Sequence, residues 1–144
     1  MNMSNGKCHQ CNADEDLCHL FFACHKSYTF LTEVFKMLHI IEPESILNDD
    51  YKLSVSNIIF GFSASLKFSE LFNFVLLYSK WIIWTERNIK KYQNIDNSIR
   101  VMLHKLQTSV YYQIDIILRC KNVNEKKYNF WNTMKMKEKF ERLI

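Results

Sequence analysis

With 144 residues, 48% of them apolar and 15% aromatic, the chain has the material for one buried core, which excludes a disordered polypeptide. Only two glycines and one proline punctuate it, too few turn residues for an all-β fold, so a mainly α protein is expected. The net charge of +4 is uneven: residues 1–50 hold three lysines and eight acids, net −5, whereas residues 51–144 hold sixteen Lys or Arg and seven acids, net +9. Phosphate binding, if present, therefore belongs to the second part and not to the first. A lysine-rich helix surface is, however, often only a solvated face.

Taken in order, Met1 to Lys7 reads as a polar, disordered lead, and residues 8–25 as a metal knuckle. Cys8 and Cys11 form a Cys-x2-Cys pair that sets two thiolates on one turn, and His19 and Cys24 can complete a tetrahedron. Four protein ligands leave no position for water or substrate, so the expected ion is one structural Zn2+ rather than a catalytic one. Disulfides are the competing use of these cysteines. They require an oxidising compartment, yet no apolar signal segment precedes the cluster, and the total of five cysteines is odd. Cys18, next to His19, stays open as an alternative third ligand, while His9 and His25 are expected to face solvent. A continuous α-helix from His19 to Cys24 would rotate by about 500°, leaving the two side chains roughly 140° apart. The segment is therefore expected to be extended or turned, with Cys24 at a helix start where the dipole favours a thiolate.

Residues 26–144 read as a helical domain of about four helices packed on the knuckle. The first runs from His25 to Ile40 on Leu31, Val34, Phe35 and Leu38, and Pro43 ends it. Leu53 to Leu66, with Gly61 inside it, reads as an irregular buried connection. A long helix starts at Ser69-Glu70 with an apolar stripe Leu71, Phe74, Val75, Tyr78, Trp81, Ile82 and Ile89. Phe72, Leu76 and Ile83 occupy another face, so burial on more than one side is expected. Asn94 to Asn97 breaks it. Ile99, Leu103, Leu106, Val110, Ile114 and Ile117 mark the next helix, and Tyr128, Trp131, Met134 and Phe140 a terminal one. The most apolar stretch, Leu71 to Trp84, is interrupted by Asn73, Ser79 and Lys80 and falls short of the ~20 residues of a membrane span, so no membrane partner is expected.

Cys8-x2-Cys11, the acidic Asp14-Glu15-Asp16, and His19-Leu20-Phe21-Phe22-x-Cys24 before an aromatic-rich helix together resemble the zinc-binding (CCHC) segment near the C-terminus of LINE-type (non-LTR) retrotransposon reverse transcriptases. Leu76 to Trp84, followed by Arg87-Asn88-Ile89-Lys90-Lys91, looks like the helical tail of that family. The resemblance extends from about Cys8 to the C-terminus, with only the knuckle motif specific. Two departures stand out: Cys18 occupies a position that is usually not cysteine, and Met1 begins just before the knuckle, without the polymerase or endonuclease portions.

The resemblance implies a non-catalytic module that helps a reverse transcriptase bind and position element RNA or target DNA. Arg87, Lys90, Lys91, Arg100 and Lys105 would contact phosphates. It also implies an intracellular location, in cytoplasm and nucleus, within a ribonucleoprotein. The alternative is a zinc-stapled protein-interaction module docking on the polymerase portion or another partner. No constellation of residues supports catalysis or a small-molecule substrate. Gly6 and Gly61 make no phosphate loop, His39 and His104 stand apart from any nucleophile, and Asp49-Asp50 suits a turn.

Overall fold

A computed structural model describes residues 6–119, except the side chains of residues 117 and 118. Among the described residues there are four α-helices: α1 (His25–Ile41), α2 (Val55–Phe60), α3 (Ser69–Gln93) and α4 (Ile99–Arg119). The chain is mainly helical, and among the described residues there is no strand, only an isolated bridge between Lys7 and Asp14. That bridge draws Lys7 into the folded knuckle, so the expected disordered lead does not extend through it. The expected terminal helix on Tyr128, Trp131, Met134 and Phe140 lies outside the described residues.

α1 buries the three- and four-residue pattern anticipated from its sequence: Leu31, Val34, Phe35 and Leu38, joined by Phe30 and Ile41. Its end follows from Pro43, which forces Glu42 out of helical angles (φ −123°, ψ 82°) and opens a 3-10 turn over Pro43–Leu47. Ser45, wholly buried in that turn, donates to the Glu42 carbonyl at 2.6 Å and meets His39 Nδ1 at 2.6 Å. The helix end is thus closed by side chains as well as by backbone.

The stretch expected to be an irregular connection contains a short helix. Ser54 accepts from the Asn57 backbone N–H at 3.2 Å and so caps α2, with Ile58 wholly buried. Beyond Gly61 the connection is irregular, as anticipated. Gly61 has φ +79° and ψ −178°, a backbone region that L side chains rarely enter. A Cβ there would meet Asn73 Oδ1 at 2.7 Å. The close approach lets Asn73 clamp Phe62, accepting from its N–H at 2.7 Å and donating to its carbonyl at 2.9 Å. Phe62 is thereby fixed within a ring cluster of Phe35, Tyr51 and Phe72, with centroids 5.1–6.0 Å from its own.

α3 buries residues of both apolar faces expected from its sequence, but Trp81 of the expected stripe is left outside. Leu71, Phe72, Val75, Leu76, Ser79, Ile82, Ile83 and Glu86 are buried, whereas Trp81 is 60% exposed. At ~100° per residue Trp81 lies about 160° round the helix from Ser79, away from the side on which α1 and α4 pack. Ser79, wholly buried and bonded back to the Val75 carbonyl at 2.8 Å, presents little bulk and lets the neighbouring helices approach. Asn94, in a left-handed conformation (φ 54°), ends α3, and the short segment 94–98 returns the chain as α4. α4 seals the core with Leu106, Val110 and Ile114, as expected, and with Met102, which the sequence reading omitted. No helix among the described residues is long and apolar enough to cross a membrane.

Candidate metal centre

The knuckle is built from two short devices. On the N-terminal side, Asn12 takes a left-handed conformation (φ 62°) that asparagine tolerates better than most residues. This lets its N–H donate to the Cys8 carbonyl at 2.8 Å while the Cys8 N–H donates to Ala13 at 2.8 Å. The turn presents both Cys8 and Cys11. On the C-terminal side, His19–Ala23 is a π-helical turn, closed by a bond from the Cys24 N–H to the His19 carbonyl at 2.7 Å. Of the two geometries expected for this segment, extended or turned, the chain takes the turned one, with a π-helical pitch. A π turn closes across five residues instead of four, so it brings His19 and Cys24 to one side where an α-helix could not. Cys24 then serves as N-cap of α1, the helix-start position expected for it.

Cys8, Cys11, His19 and Cys24 converge, with their four ligand atoms all within 4.8 Å of one another. Cys8 Sγ and Cys24 Sγ are 3.8 Å apart, and Cys11 Sγ and His19 Nε2 are 3.2 Å apart. Two sulfurs bound at ~2.3 Å to one tetrahedral ion stand ~3.8 Å apart, so the spacing suits a shared metal. The four cysteines in this segment are free thiols rather than disulfides. Three thiols and one imidazole can thus hold a metal ion with every coordination position filled by protein.

Burial and second contacts support the same grouping. Cys8 and Cys24 are buried, and Cys11 and His19 lie nearer the surface. Burial raises the Cys8 thiol above its ordinary pKa, opposed by the backbone N–H groups of Gln10 and Cys11 that face its sulfur. A bound cation reverses that balance by favouring the thiolate directly. Cys18 is the N-cap of the π turn and stands outside the group, as do His9 and His25.

The acidic run Asp14-Glu15-Asp16 is three separate contacts. Asp14 pairs with Lys7 at 2.5 Å, and that neighbour holds its carboxyl below the usual range. Asp16 accepts from the His19 N–H at 2.6 Å, orienting the ligand histidine, and its carbonyl receives the Leu20 N–H at 2.8 Å. Glu15 crosses to α3 and pairs with Arg87. Ser27 of α1 completes the support by donating to the Leu20 carbonyl at 2.6 Å. The Asp16 contact had a legible signal, an aspartate three residues before His19 at the start of a turn; the Glu15 contact, spanning 72 positions, had none.

The five residues proposed from the sequence for phosphate contact are not gathered on one patch of unengaged cations. Arg87 is largely buried against Glu15, its guanidinium 5.7 Å from the Trp84 ring. Lys90 pairs with Asp96 at 3.2 Å, and Lys105 pairs with Glu86, a carboxylate 2% exposed that also accepts from Asn97 at 2.8 Å. Lys91 lies 5.2 Å from the Tyr92 ring, and Arg100 is exposed. Beside them, on the outer side of α3, Trp81, Trp84, Thr85, Asn88, Ile89 and Tyr92 line an open groove. Comparison with protein-family models, with curated proteins and with solved structures finds no match for this chain.

Proposed function

We propose that the chain is a zinc-stapled, non-catalytic helical module that holds single-stranded nucleic acid along the outer side of α3, in the manner of the C-terminal segment of a LINE-type reverse transcriptase. The knuckle supplies shape. Its three sulfurs and one imidazole form a donor set suited to Zn2+, with no position for substrate, and the bound ion would contribute folding free energy without entering a reaction. The resemblance of Cys8 to Cys24 and of Leu76 to Lys91 to that family supplies the biological setting, a ribonucleoprotein in cytoplasm and nucleus.

The observation that carries the nucleic-acid reading is the pairing of rings with cations on α3. Trp84 and Arg87 form one such pair, Tyr92 and Lys91 another, and Trp81 lies exposed beside them. Rings offer faces on which bases stack, and neighbouring cations meet the phosphates between them. Arg100, which is exposed, is the first candidate for phosphate contact, because Arg87, Lys90 and Lys105 are engaged with carboxylates.

A second reading draws on the same side of the helix. Leu77 and Trp81, one helical turn apart, are exposed apolar residues that would equally suit a protein partner, including the polymerase portion. Salt separates the two. Binding of a labelled single-stranded RNA should weaken with salt with a log–log slope of about −0.7 per phosphate contact. A salt-independent interaction, or no RNA binding together with self-association, would favour protein docking.

A further inference from the structure

The geometry points to a latch in which metal loading of the knuckle keeps Arg87 covered by Glu15 and out of reach of anionic partners. It rests on the reading of Cys8, Cys11, His19 and Cys24 as a metal site.

Glu15 lies in the loop between Cys11 and His19, two of the four converging ligands, whose Sγ and Nε2 are 3.2 Å apart. An ion bound to both closes this short loop at its base and so fixes where Glu15 can reach. Without the ion, the ties that remain to the loop, apart from the Glu15–Arg87 pair, run to residues near it in sequence: the Lys7–Asp14 pair, the bonds of Cys8 with Asn12 and Ala13, the bond from the Glu15 N–H to the Gly6 carbonyl at 2.8 Å, and the bonds from the His19 and Leu20 N–H groups to Asp16. Such a loop belongs to the low-stability end of a fold and opens readily.

At the other end of the contact, Arg87 projects from α3, a rigid helix of 25 residues. The two side chains are 14% and 13% exposed, so each charge has been withdrawn from water onto the other. The pair runs between Arg87 Nη2 and Glu15 Oε2, and the buried Glu15 Oε1 and Arg87 Nε have no hydrogen-bond partner among the described residues. If Glu15 leaves, the guanidinium is a buried charge without its counter-ion, a costly state that it escapes by turning outward. It then joins Trp84 and Lys91 on the outer side of α3 as an additional anion-binding group. A second tie, Lys26 to Asp96, joins the start of α1 to the α3–α4 connection and is not part of the loop. The latch can therefore open without separating α1 from the helical body.

The test uses the full chain in reducing buffer, loaded with one equivalent of Zn2+ or stripped with a chelator, with metal content measured on each sample. Phenylglyoxal labels accessible arginines, and peptide mass spectrometry reads the labelling rate of Arg87 against that of exposed Arg100. In the loaded chain Arg87 should label slowly, and stripping should raise its rate about tenfold relative to Arg100. Because stripping could also loosen the whole fold, Glu15→Gln in the loaded, folded chain is the second arm: it should label as fast as the stripped parent while retaining its metal. Equal Arg87 rates in loaded and stripped samples, or an unchanged rate in the metal-loaded Glu15→Gln variant, would overturn the latch. A chain that takes up no metal overturns it through the site itself, which the metal assay reveals before any label is added.

Discussion

The Cys24 N–H donates to the carbonyl oxygen of His19, five residues earlier, at 2.7 Å. That bond makes the π turn, and the π turn lets a histidine and a cysteine with this spacing serve one ion. The His19→Ala and Cys11→Ser variants should each lose metal affinity by more than about 100-fold, since even a residue orienting a ligand is worth 10–100-fold. Cys18→Ser should retain full affinity, because Cys18 lies outside the group. Metal content per chain after dialysis against a weak chelator distinguishes these outcomes. Retention by His19→Ala with loss from Cys18→Ser would reverse the assignment of the third ligand.

Gly61 and Asn73 should behave as one device. Gly61→Ala places a methyl where the Asn73 carboxamide sits and holds a non-glycine residue at φ +79°, so a loss of about 1–3 kcal/mol is expected. Asn73→Ala leaves the Phe62 N–H without its partner and should cost a similar ~1–3 kcal/mol. Because both act through the same contact, the double variant should cost less than the sum of the singles. Urea unfolding of the metal-loaded proteins measures all three.

Burial lowers the pKa of His39 below its ordinary 6.5. Below about pH 6.5 the unfolded chain therefore binds more protons at this position than the folded one, and stability falls as the pH falls through that window. His39→Gln should flatten this part of the profile between pH 7.5 and 5.5. Both proteins lose metal as the ligands protonate, so the difference between their profiles isolates His39. Parallel profiles would remove His39 as a source of acid sensitivity.

Lys105 and Trp81 separate structural from binding roles. Lys105→Ala leaves Glu86 buried with Asn97 as its remaining partner, and about 2–3 kcal/mol of stability should be lost, less than for a fully buried pair because Lys105 is 40% exposed. Trp81→Ala should change stability by no more than ~0.5 kcal/mol, since the ring is largely in solvent. On the nucleic-acid reading it should weaken single-stranded RNA binding by about 1–3 kcal/mol, the worth of one stacked base. Unaltered RNA binding by Trp81→Ala would move the contact away from this side of α3.

The sequence by itself determined the helical class, the breaks at Pro43 and at Asn94 to Asn97, the cores of α1 and α4, and a knuckle on Cys8, Cys11 and Cys24, leaving His19 or Cys18 as the remaining member for the folded turn to decide. These are local matters: periodicity, backbone stereochemistry and ligand spacing act within a turn or two. Tertiary packing decided which side of α3 is buried, because Trp81 and Phe72 are equally apolar and only the positions of α1 and α4 distinguish them. It also decided the fate of the basic residues. Arg87 reads as a surface cation until Glu15 arrives from 72 positions away, and Lys105 likewise until α4 folds back beside Glu86. An ion pair between distant segments leaves no periodic trace in either, since its energy depends on a separation that only the folded chain creates.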